Sequence, residues 1–279
     1  MCVVDELVRL IGDTSASLPD DVVKALKAAR RRERPGSSAA VVLSTILDNC
    51  AIAATRGTPL CQDTGTLTFF VDAALRRKVT PAVVKKAVAQ ATARGYLRKN
   101  CIDAVSGKSF DVNCADGAPV IHYVDWQKPG CVTLLMKGGG SENMSRQYSL
   151  PDSSLGAGRD LAGVRKCVLD AVHKIQGFGC APGILGVCIG GDRATGFEVA
   201  KEQLLRPLDD GAPLPELRRL ERALLRDANT LGIGPMGLGG KATLLGVKVA
   251  ARPRVPASFF VTIAYMCWAC RRRSACFMV

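Results

Sequence analysis

Histidine and aromatic residues are scarce in this chain of 279 residues. It has two histidines, His122 and His173, and its aromatic fraction is 5%. Two histidines are too few for a histidine-rich metal site. Nucleic-acid surfaces combine basic clusters with aromatic side chains, but no aromatic residue interleaves with the basic clusters at 27–34 and 76–78. The net charge of +13 leaves two interpretations, a nucleic-acid face or a protein that handles anions. We favour the second.

Long hydrophobic runs are also missing. The longest apolar stretch, residues 255–268, contains Pro, Ser and Thr and is too short to span a bilayer, so we expect a buried strand there. Residues 1–6 are acidic and lack an apolar segment, which argues against a signal peptide. We therefore expect a cytoplasmic protein without a membrane segment.

Paired cysteine motifs are equally rare, although the chain has 12 cysteines. A reducing compartment disfavours a disulfide framework. Cys267 and Cys270 have CxxC spacing, but no second pair lies at a spacing that would complete a zinc ribbon. Most of the cysteines are therefore expected to be small buried side chains.

The composition is that of a globular protein, with 48% apolar and 23% charged residues. Hydrophobic periodicity predicts seven helices and six strands, with a long surface loop at 103–117. The helices are predicted at 5–12, 21–34, 39–55, 81–94, 160–176, 196–206 and 214–231, and the strands at 67–71, 119–126, 131–136, 184–189, 247–250 and 258–265. Neither a repeat nor a flexible linker divides the chain. We predict a single mixed α/β domain over residues 1–279.

Three cysteines lie in contexts unlike a buried core. Cys61 precedes a glutamine, an aspartate and a threonine in a loop that leads into a strand, where scaffolds commonly present reactive groups. Cys180 lies in the glycine-rich segment 177–183, and Cys267 lies beside Trp268. These contexts make the three thiols candidates for chemistry.

Glycine-dense segments at 137–143, 186–192 and 232–241 allow a ligand to approach backbone N–H groups. Each alone is more often a turn. The segment at 232–241 is neither a Walker loop nor a Rossmann fingerprint, because no strand precedes it and no GK[ST] closes it. Together the three segments predict backbone contacts with a small anion.

These segments, taken in order, resemble class I iron–sulfur fumarate hydratase. The resemblance is to its N-terminal domain, which two-subunit forms carry as the alpha chain, and L-tartrate dehydratase alpha is a close relative. It covers about residue 20 to the C-terminus and implies that family's fold, with helices around short mixed sheets. The form of segment 137–143 is more similar to the fumarate hydratase branch. The matching segments are 61–65, 137–143, 179–182, 189–191, 201–204, 232–241 and 267–269.

The resemblance implies a 4Fe-4S cluster held by Cys61, Cys180 and Cys267. Electron-transfer clusters normally have four protein ligands. Three ligands leave one iron open to act as a Lewis acid. Cys270 is the rival for the third position, and we prefer Cys267 because it holds the family's place before Trp268.

The resemblance also implies the substrate-binding residues. Gln62 and Asp63 correspond to the family's substrate-contacting pair, with Asp63 as general acid or base. The alternative for Asp63 is a cap on the following turn. Arg98 resembles the family's carboxylate clamp, since its planar fork suits bidentate binding. The backbone around Gly138 and Gly139 would take a second carboxylate oxygen.

The implied activity is fumarate hydratase, the reversible conversion of (S)-malate to fumarate and water. The alternatives are an L-tartrate dehydratase alpha subunit and a catalytically decayed iron–sulfur subunit. Decay is considered because the family usually has a histidine where this chain has residues 251–256, with Arg252 and Arg254 in its place.

The resemblance stops before the family's C-terminal domain, which supplies the proton-abstracting residue. Either a separate polypeptide supplies that domain or this chain is a truncated copy, and we expect the first, a hetero-oligomer with a separate beta subunit. An exposed apolar face near Phe259, Phe260 and Trp268 is the surface that we expect this partner to cover.

Overall fold

A computed structural model describes residues 2–277 of the chain. The helices are α1 Val3–Ala16, α2 Asp20–Arg32, α3 Ser38–Arg56, α4 Pro81–Ala93, α5 Gly139–Asn143, α6 Leu161–Ile175, α7 Arg193–Gln203 and α8 Pro215–Asn229. The strands are β1 Thr66–Asp72, β2 Cys101–Ile102, β3 Ser109–Phe110, β4 Val120–Val124, β5 Cys131–Lys137, β6 Arg146–Ser149, β7 Gly183–Gly190, β8 Leu244–Arg252, β9 Phe260–Met266 and β10 Arg271–Cys276.

The described residues fall into two compact units. The first comprises residues 2–19, 48–139 and 269–277, and the second comprises residues 20–47 and 140–268. Each unit is built from several separate chain segments, so no single linker marks a boundary. One domain over residues 1–279 stays a prediction.

The first unit has a four-stranded mixed sheet in the order β10-β5-β1-β4. β1 is parallel to β4 and antiparallel to β5, and β5 is antiparallel to β10. α1 and α4 pack together, and their apolar residues Leu7, Ile11, Val84 and Val88 share a core with Phe69 of β1. The helical spacing of these residues gives each helix one apolar stripe that faces the core.

The second unit has its own mixed sheet, in the order β6-β9-β7-β8, with only β7 and β8 parallel. Leu185 and Val187 of β7 lie in a core with residues of α6 and α8. Gly186 faces the opposite side, where a Cβ would collide with the Ala200 carbonyl of α7. Because successive residues of a strand point to opposite faces, the sheet lies between α7 and the α6–α8 pair.

Every predicted helix and strand is present, with ends shifted by a few residues. The predicted mixed α/β class, with helices around short mixed sheets, is confirmed. Five elements were missed, namely α5, β2, β3, β6 and β10. β10 contains an arginine run in which Arg271 is 1% and Arg272 9% exposed. β3 lies in the segment 103–117 that was expected to be a surface loop, and it pairs with β2, which directly precedes that segment.

The cysteines differ in one respect from the expectation. Cys131 of β5 and Cys276 of β10 are register partners and form a disulfide, whereas the other ten cysteines, all within residues 2–277, form none. Burial raises the pKa of the Cys50, Cys167 and Cys188 thiols to about 11. Those three behave as the small core side chains that were expected.

The expected apolar partner face near Phe259 and Phe260 is wrong for these two residues. Phe259 is buried, and the Arg254 guanidinium lies 4.6 Å from its ring centroid. Arg193 stacks in the same way on the half-buried Phe260, also at 4.6 Å. Cation–π stacking by arginine therefore covers these rings within the chain itself.

Within residues 2–277, α3 is the one helix long and apolar enough to cross a membrane by length and composition, with a mean hydropathy of 1.5. Core helices of water-soluble proteins meet the same two criteria. The absence of a membrane segment therefore stays a prediction.

A buried carboxylate connects helix and sheet in the second unit. Glu221 of α8 is 5% exposed and accepts hydrogen bonds from Arg206 Nη1 (2.9 Å), the Ala212 N–H (2.9 Å) and the Val249 N–H of β8 (2.8 Å). Removing this carboxylate leaves the Ala212 and Val249 N–H groups without an acceptor, whereas Arg206 keeps its ion pair with Asp210.

We predict that Glu221→Ala lowers the free energy of unfolding by about 2–5 kcal/mol, because each of two buried backbone donors left without an acceptor costs about 1–3 kcal/mol. Urea unfolding measures it. Glu216→Ala on the same helix is the control, because the Glu216–Arg219 pair is exposed and its loss is below about 1 kcal/mol. Equal losses for both variants would contradict the prediction.

Candidate functional site

The loop that carries Cys61 is held against the end of β5 in the first unit. Gly65 has φ of 74°, and a Cβ there would collide with the carbonyl of Lys137. Glycine is therefore needed both for the backbone conformation and for the close approach. This contact places residues 61–65 beside Gly138. The order of segments 61–65 and 137–143 in the sequence does not predict that they are neighbours in the fold.

Asp63 is half-buried and contacts two other segments of the same unit. Its Oδ1 lies 3.4 Å from Nδ2 of Asn100, and its Oδ2 would be 2.7 Å from a Cβ at Gly138. Its backbone N–H lies 3.5 Å from the Cys61 sulfur. Because Gly138 has no side chain, the Asp63 carboxylate can sit directly over the end of β5.

Asp63 lines a cavity of about 310 Å³ that lies within the first unit. Gly139 and Asn100 line the same cavity, together with Gly65, Thr66 and the segment 117–120. This volume is at the lower end of small-molecule sites. The structure thus brings together a carboxylate and one of the two predicted glycines on a single concave surface.

The predicted clamp residue Arg98 follows a well-anchored turn. The Arg98 N–H donates to Thr64 Oγ1 (2.9 Å), and Thr64 Oγ1 donates to the Arg98 carbonyl (3.1 Å). The Arg98 side chain itself is exposed, as is that of Gln62. The backbone pairing therefore ties the Arg98 segment to the Asp63 loop and leaves both long side chains at the surface.

Asn113 organises this region and was missed from the sequence. Its Oδ1 accepts from the N–H groups of Asn100 (3.0 Å) and Cys101 (3.1 Å), and its Nδ2 donates to the Arg98 carbonyl (2.9 Å) and Thr92 Oγ1 (3.1 Å). It is 2% exposed and has φ of 55°. An asparagine tolerates this left-handed conformation, which was the one available signal.

Arg271 supports Asp63 from behind and was also missed. Its Nη2 donates to the Asp63 carbonyl at 2.7 Å. Its Nε and Nη1 are buried and lack hydrogen-bond partners. Arg271 is the first of three consecutive arginines, and it is enclosed in the first unit.

In the second unit, the Cys180 loop wraps around the ring of Tyr265. A Cβ at Gly179 or at Gly183 would collide with this ring. Cys180 itself has φ of 54° and is exposed. The Trp268 N–H donates to the Cys180 carbonyl at 3.3 Å, which joins this loop to the segment that carries Cys267.

Two serines hold the Cys267 segment. The Cys267 N–H donates to Ser141 Oγ (3.1 Å), and the Tyr265 N–H donates to Ser145 Oγ (3.3 Å). Glu142, between them, pairs with Lys201 of α7 at 2.6 Å. The motif residues at 141–142 and 201 therefore have structural roles in the second unit.

The glycine-dense segment 232–241 supports the Cys180 loop. The Met236 N–H donates to the Ala181 carbonyl at 2.9 Å. A Cβ at Gly177 would collide with the backbone of Met236 and Gly237. The glycines here allow two loops to pack backbone to backbone.

The structure brings Cys180 and Cys267 close to one tyrosine hydroxyl. Burial raises the pKa of Tyr265 far above its usual value, and the Cys267 and Cys180 thiols raise it further. Cys61 belongs to the first unit. Within residues 2–277, no group of three or more His, Cys, Asp or Glu side chains is arranged to hold a metal ion.

The three cysteine thiols nevertheless suit a sulfur-ligated cluster. Cys180 is exposed and Cys61 and Cys267 are half-buried, whereas Cys270 is fully buried. The unpartnered buried hydroxyl of Tyr265 belongs to the ring against which the Cys180 loop packs. Accessible thiols on segments that pack against an unused donor suit a sulfur-ligated group.

The arginines at the position of the family's histidine have other partners. Arg254 Nη1 donates to the carbonyls of Val255 (3.2 Å), Pro256 (3.0 Å) and Ser258 (3.2 Å). Arg252 lies 3.9 Å from Glu202. Both arginines thus stabilise their own part of the second unit.

Comparisons with known proteins agree with the order of these motifs. The family model "Fumarate hydratase (Fumerase)" matches residues 4–276. A protein of Geobacillus stearothermophilus named "Putative fumarate hydratase class I" is 48% identical over 274 residues, which are 96% of this chain and 53% of that protein. The chain thus spans about half the length of this relative.

Two alpha subunits are similar over nearly their whole length. The "Putative L(+)-tartrate dehydratase subunit alpha" of Methanocaldococcus jannaschii is 32% identical, over 98% of this chain and 96% of that subunit. The "L(+)-tartrate dehydratase subunit alpha" of Escherichia coli strain K12 is 30% identical, over 96% of this chain and 90% of that subunit.

We predict that Asn113→Ala lowers the free energy of unfolding by about 2–3 kcal/mol, because it leaves buried backbone donors and an acceptor unsatisfied. Denaturant unfolding measures the loss. Asn100→Ala is the control, since Asn100 is exposed and its side chain makes one long contact. An Asn113→Ala protein as stable as the control would show that water replaces these hydrogen bonds.

Proposed function

The chain belongs to the fumarate hydratase family, and we propose that it is the alpha subunit of an iron–sulfur hydro-lyase that interconverts (S)-malate and fumarate. The family is one of hydro-lyases, and the family match spans almost the whole described chain. The observation that carries the proposal is that Asp63, two residues after Cys61 in the sequence, lines the same cavity as Gly139. The accompanying fold is the family's N-terminal domain.

Cys61, Cys180 and Cys267 would hold a 4Fe-4S cluster. When bound, a cluster with three protein ligands offers one open iron as a Lewis acid for the substrate hydroxyl. The exposure of Cys180 and the half-burial of Cys61 and Cys267 support this choice. Full burial of Cys270 disfavours it as the third ligand. The left-handed backbone at Cys180 supports a functional role, since such conformations cluster at functional sites.

Asp63 would donate a proton to the malate hydroxyl when it leaves as water, and would accept a proton from water in the reverse reaction. Its carboxylate faces the cavity, and Asn100 Nδ2 lies within reach of Oδ1. Arg271 holds the Asp63 carbonyl. Anchoring the backbone while leaving the carboxylate accessible is the arrangement expected of a general acid or base, and it favours this role over a turn cap.

The substrate carboxylates would bind to residues of the same unit. Arg98 and Gln62 are exposed long side chains on the two segments joined through Thr64. The backbone at Gly138 and Gly139 lies beside the Asp63 carboxylate and the cavity. A planar guanidinium and backbone N–H groups together suit a dicarboxylate.

A beta subunit would complete the enzyme. The chain spans 53% of the Geobacillus relative but 96% and 90% of the two proteins named as alpha subunits. The names of those two relatives as alpha subunits support a hetero-oligomer with a separate beta subunit. A cytoplasmic location is part of the proposal.

L-tartrate dehydratase is the second candidate. The near-complete coverage of two tartrate dehydratase alpha subunits favours it, whereas the higher identity to the Geobacillus relative favours fumarate hydratase. A catalytically decayed iron–sulfur subunit is the third candidate, because this chain has Arg252 and Arg254 where the family usually has a histidine. Turnover assays with malate and tartrate distinguish all three.

We predict that Cys61→Ser, Cys180→Ser and Cys267→Ser each abolish the visible absorbance of the reconstituted cluster. Anaerobic reconstitution with iron and sulfide, counted per chain, is the measurement. Cys2→Ser is the control, because Cys2 is exposed and outside the motif loops. Loss of the cluster in Cys270→Ser together with its retention in Cys267→Ser would reverse the ligand assignment.

We also predict that the chain co-expressed with a beta subunit dehydrates malate and that the chain alone does not.

In the co-expressed enzyme, Asp63→Asn should lower malate turnover by about two to four powers of ten, the usual share of a general acid or base, while cluster absorbance is retained. Asp111→Asn, at an exposed carboxylate, is the control. Full turnover by the isolated chain, or by Asp63→Asn, would refute the corresponding assignment.

A further inference from the structure

The Tyr265 hydroxyl is an anomaly in the second unit. Tyr265 is 1% exposed, and its hydroxyl has no hydrogen-bond partner. Within residues 2–277 it is the only oxygen among the buried side-chain atoms that lack one, the others being Arg146 Nε and Arg271 Nε and Nη1. Buried tyrosine hydroxyls usually find a partner, and an unsatisfied one costs about 1–3 kcal/mol.

The position of the hydroxyl is well defined. The ring is enclosed by Gly179 and Gly183, and a Cβ at Gly183 would lie 2.5 Å from the hydroxyl oxygen itself. The backbone of Tyr265 is held by its pairing with Leu185 of β7 and by Ser145 Oγ. These contacts fix the position of the hydroxyl relative to the Cys180 loop.

The hydroxyl belongs to a ring that lies between the two segments that carry candidate cluster ligands. Tyr265 is two residues before Cys267, and its ring lies against Gly179 and Gly183, on either side of Cys180. The hydrogen bond from the Trp268 N–H to the Cys180 carbonyl joins the two segments. A hydroxyl donor is thus enclosed where the Cys180 loop and the Cys267 segment pack together.

We propose that Tyr265 donates its hydroxyl hydrogen to a sulfur atom of the bound iron–sulfur cluster, either the thiolate of Cys180 or Cys267 or a bridging sulfide. This inference rests on the proposed cluster and makes Tyr265 a positioning residue. Hydrogen bonds to ligand atoms orient them and strengthen metal binding. Hydrogen bonds to cluster sulfurs also tune the reduction potential.

The unpartnered hydroxyl has a second consequence for the protein without its cluster. Because the hydroxyl makes no hydrogen bond there, replacing Tyr265 by phenylalanine removes an unsatisfied group and leaves the ring packing intact. The variant should therefore be at least as stable as the wild-type chain before reconstitution and weaker in holding the cluster afterwards. A purely structural role for the hydroxyl predicts a loss of stability in both states.

The test compares Tyr265→Phe with Tyr148→Phe in the full chain. Tyr148 is the matched control, because it lies in the same unit and its hydroxyl already donates to Asp170 Oδ2 at 2.7 Å. Without the cluster, we expect Tyr148→Phe to lose stability and Tyr265→Phe to lose none. After anaerobic reconstitution, Tyr265→Phe should release iron to a chelator about 10- to 100-fold faster than wild type. Its cluster should also have a lower reduction potential, and Tyr148→Phe should match wild type in both.

Pulsed electron paramagnetic resonance of the reduced wild-type cluster provides an independent measurement. It should detect one exchangeable proton coupling that Tyr265→Phe lacks. Wild-type iron release, potential and proton coupling in Tyr265→Phe would overturn the inference while leaving the cluster proposal intact. A wild-type chain that takes up no iron and sulfide would overturn the cluster proposal first and this inference with it.

Discussion

The close packing of glycine backbone against the Tyr265 ring is the constraint on which the thiol-bearing part of the second unit depends. Gly179 and Gly183 bracket Cys180 and both contact this ring. Any larger residue at either position would push the loop outward. Because the ring sits on a strand paired on both sides, the loop inherits the rigidity of the sheet, which is what a ligand-bearing loop needs.

In the first unit, hydrogen bonds hold the candidate site loop in place. Asn113 uses its amide to order the backbone from Arg98 to Cys101, and Thr64 ties that segment to the Asp63 loop. Arg271 holds the Asp63 carbonyl. The loop residues proposed to meet substrate are therefore positioned by buried polar groups, while the apolar core of α1, α4 and β1 supplies the stability.

Most elements of this fold could be predicted from the sequence, because the helices carry an apolar stripe and strands such as β5 and β7 are continuous apolar runs that are buried throughout. β10 could not, since an arginine run has neither pattern, yet Arg271 pairs with Met136 of β5 and is buried. The roles of Asn113 and Tyr265 could not be predicted either, for a related reason. Their roles depend on hydrogen-bond geometry between segments distant in sequence, whereas Cys61, Cys180 and Cys267 stood out through local context and the family resemblance.

The net charge of the chain is a weaker guide to its partners than it first seemed. In the second unit, Arg193 and Arg254 stack on aromatic rings, Arg206 pairs with Glu221, and the buried Lys248 binds Asp210. These cations stabilise the protein itself. Excess positive charge raises the local concentration of anions, but it does not select one. Selection of the proposed dicarboxylate would therefore depend on a concave site with oriented donors, and the cavity lined by Asp63 and Gly139 contains two of the residues that the resemblance implies.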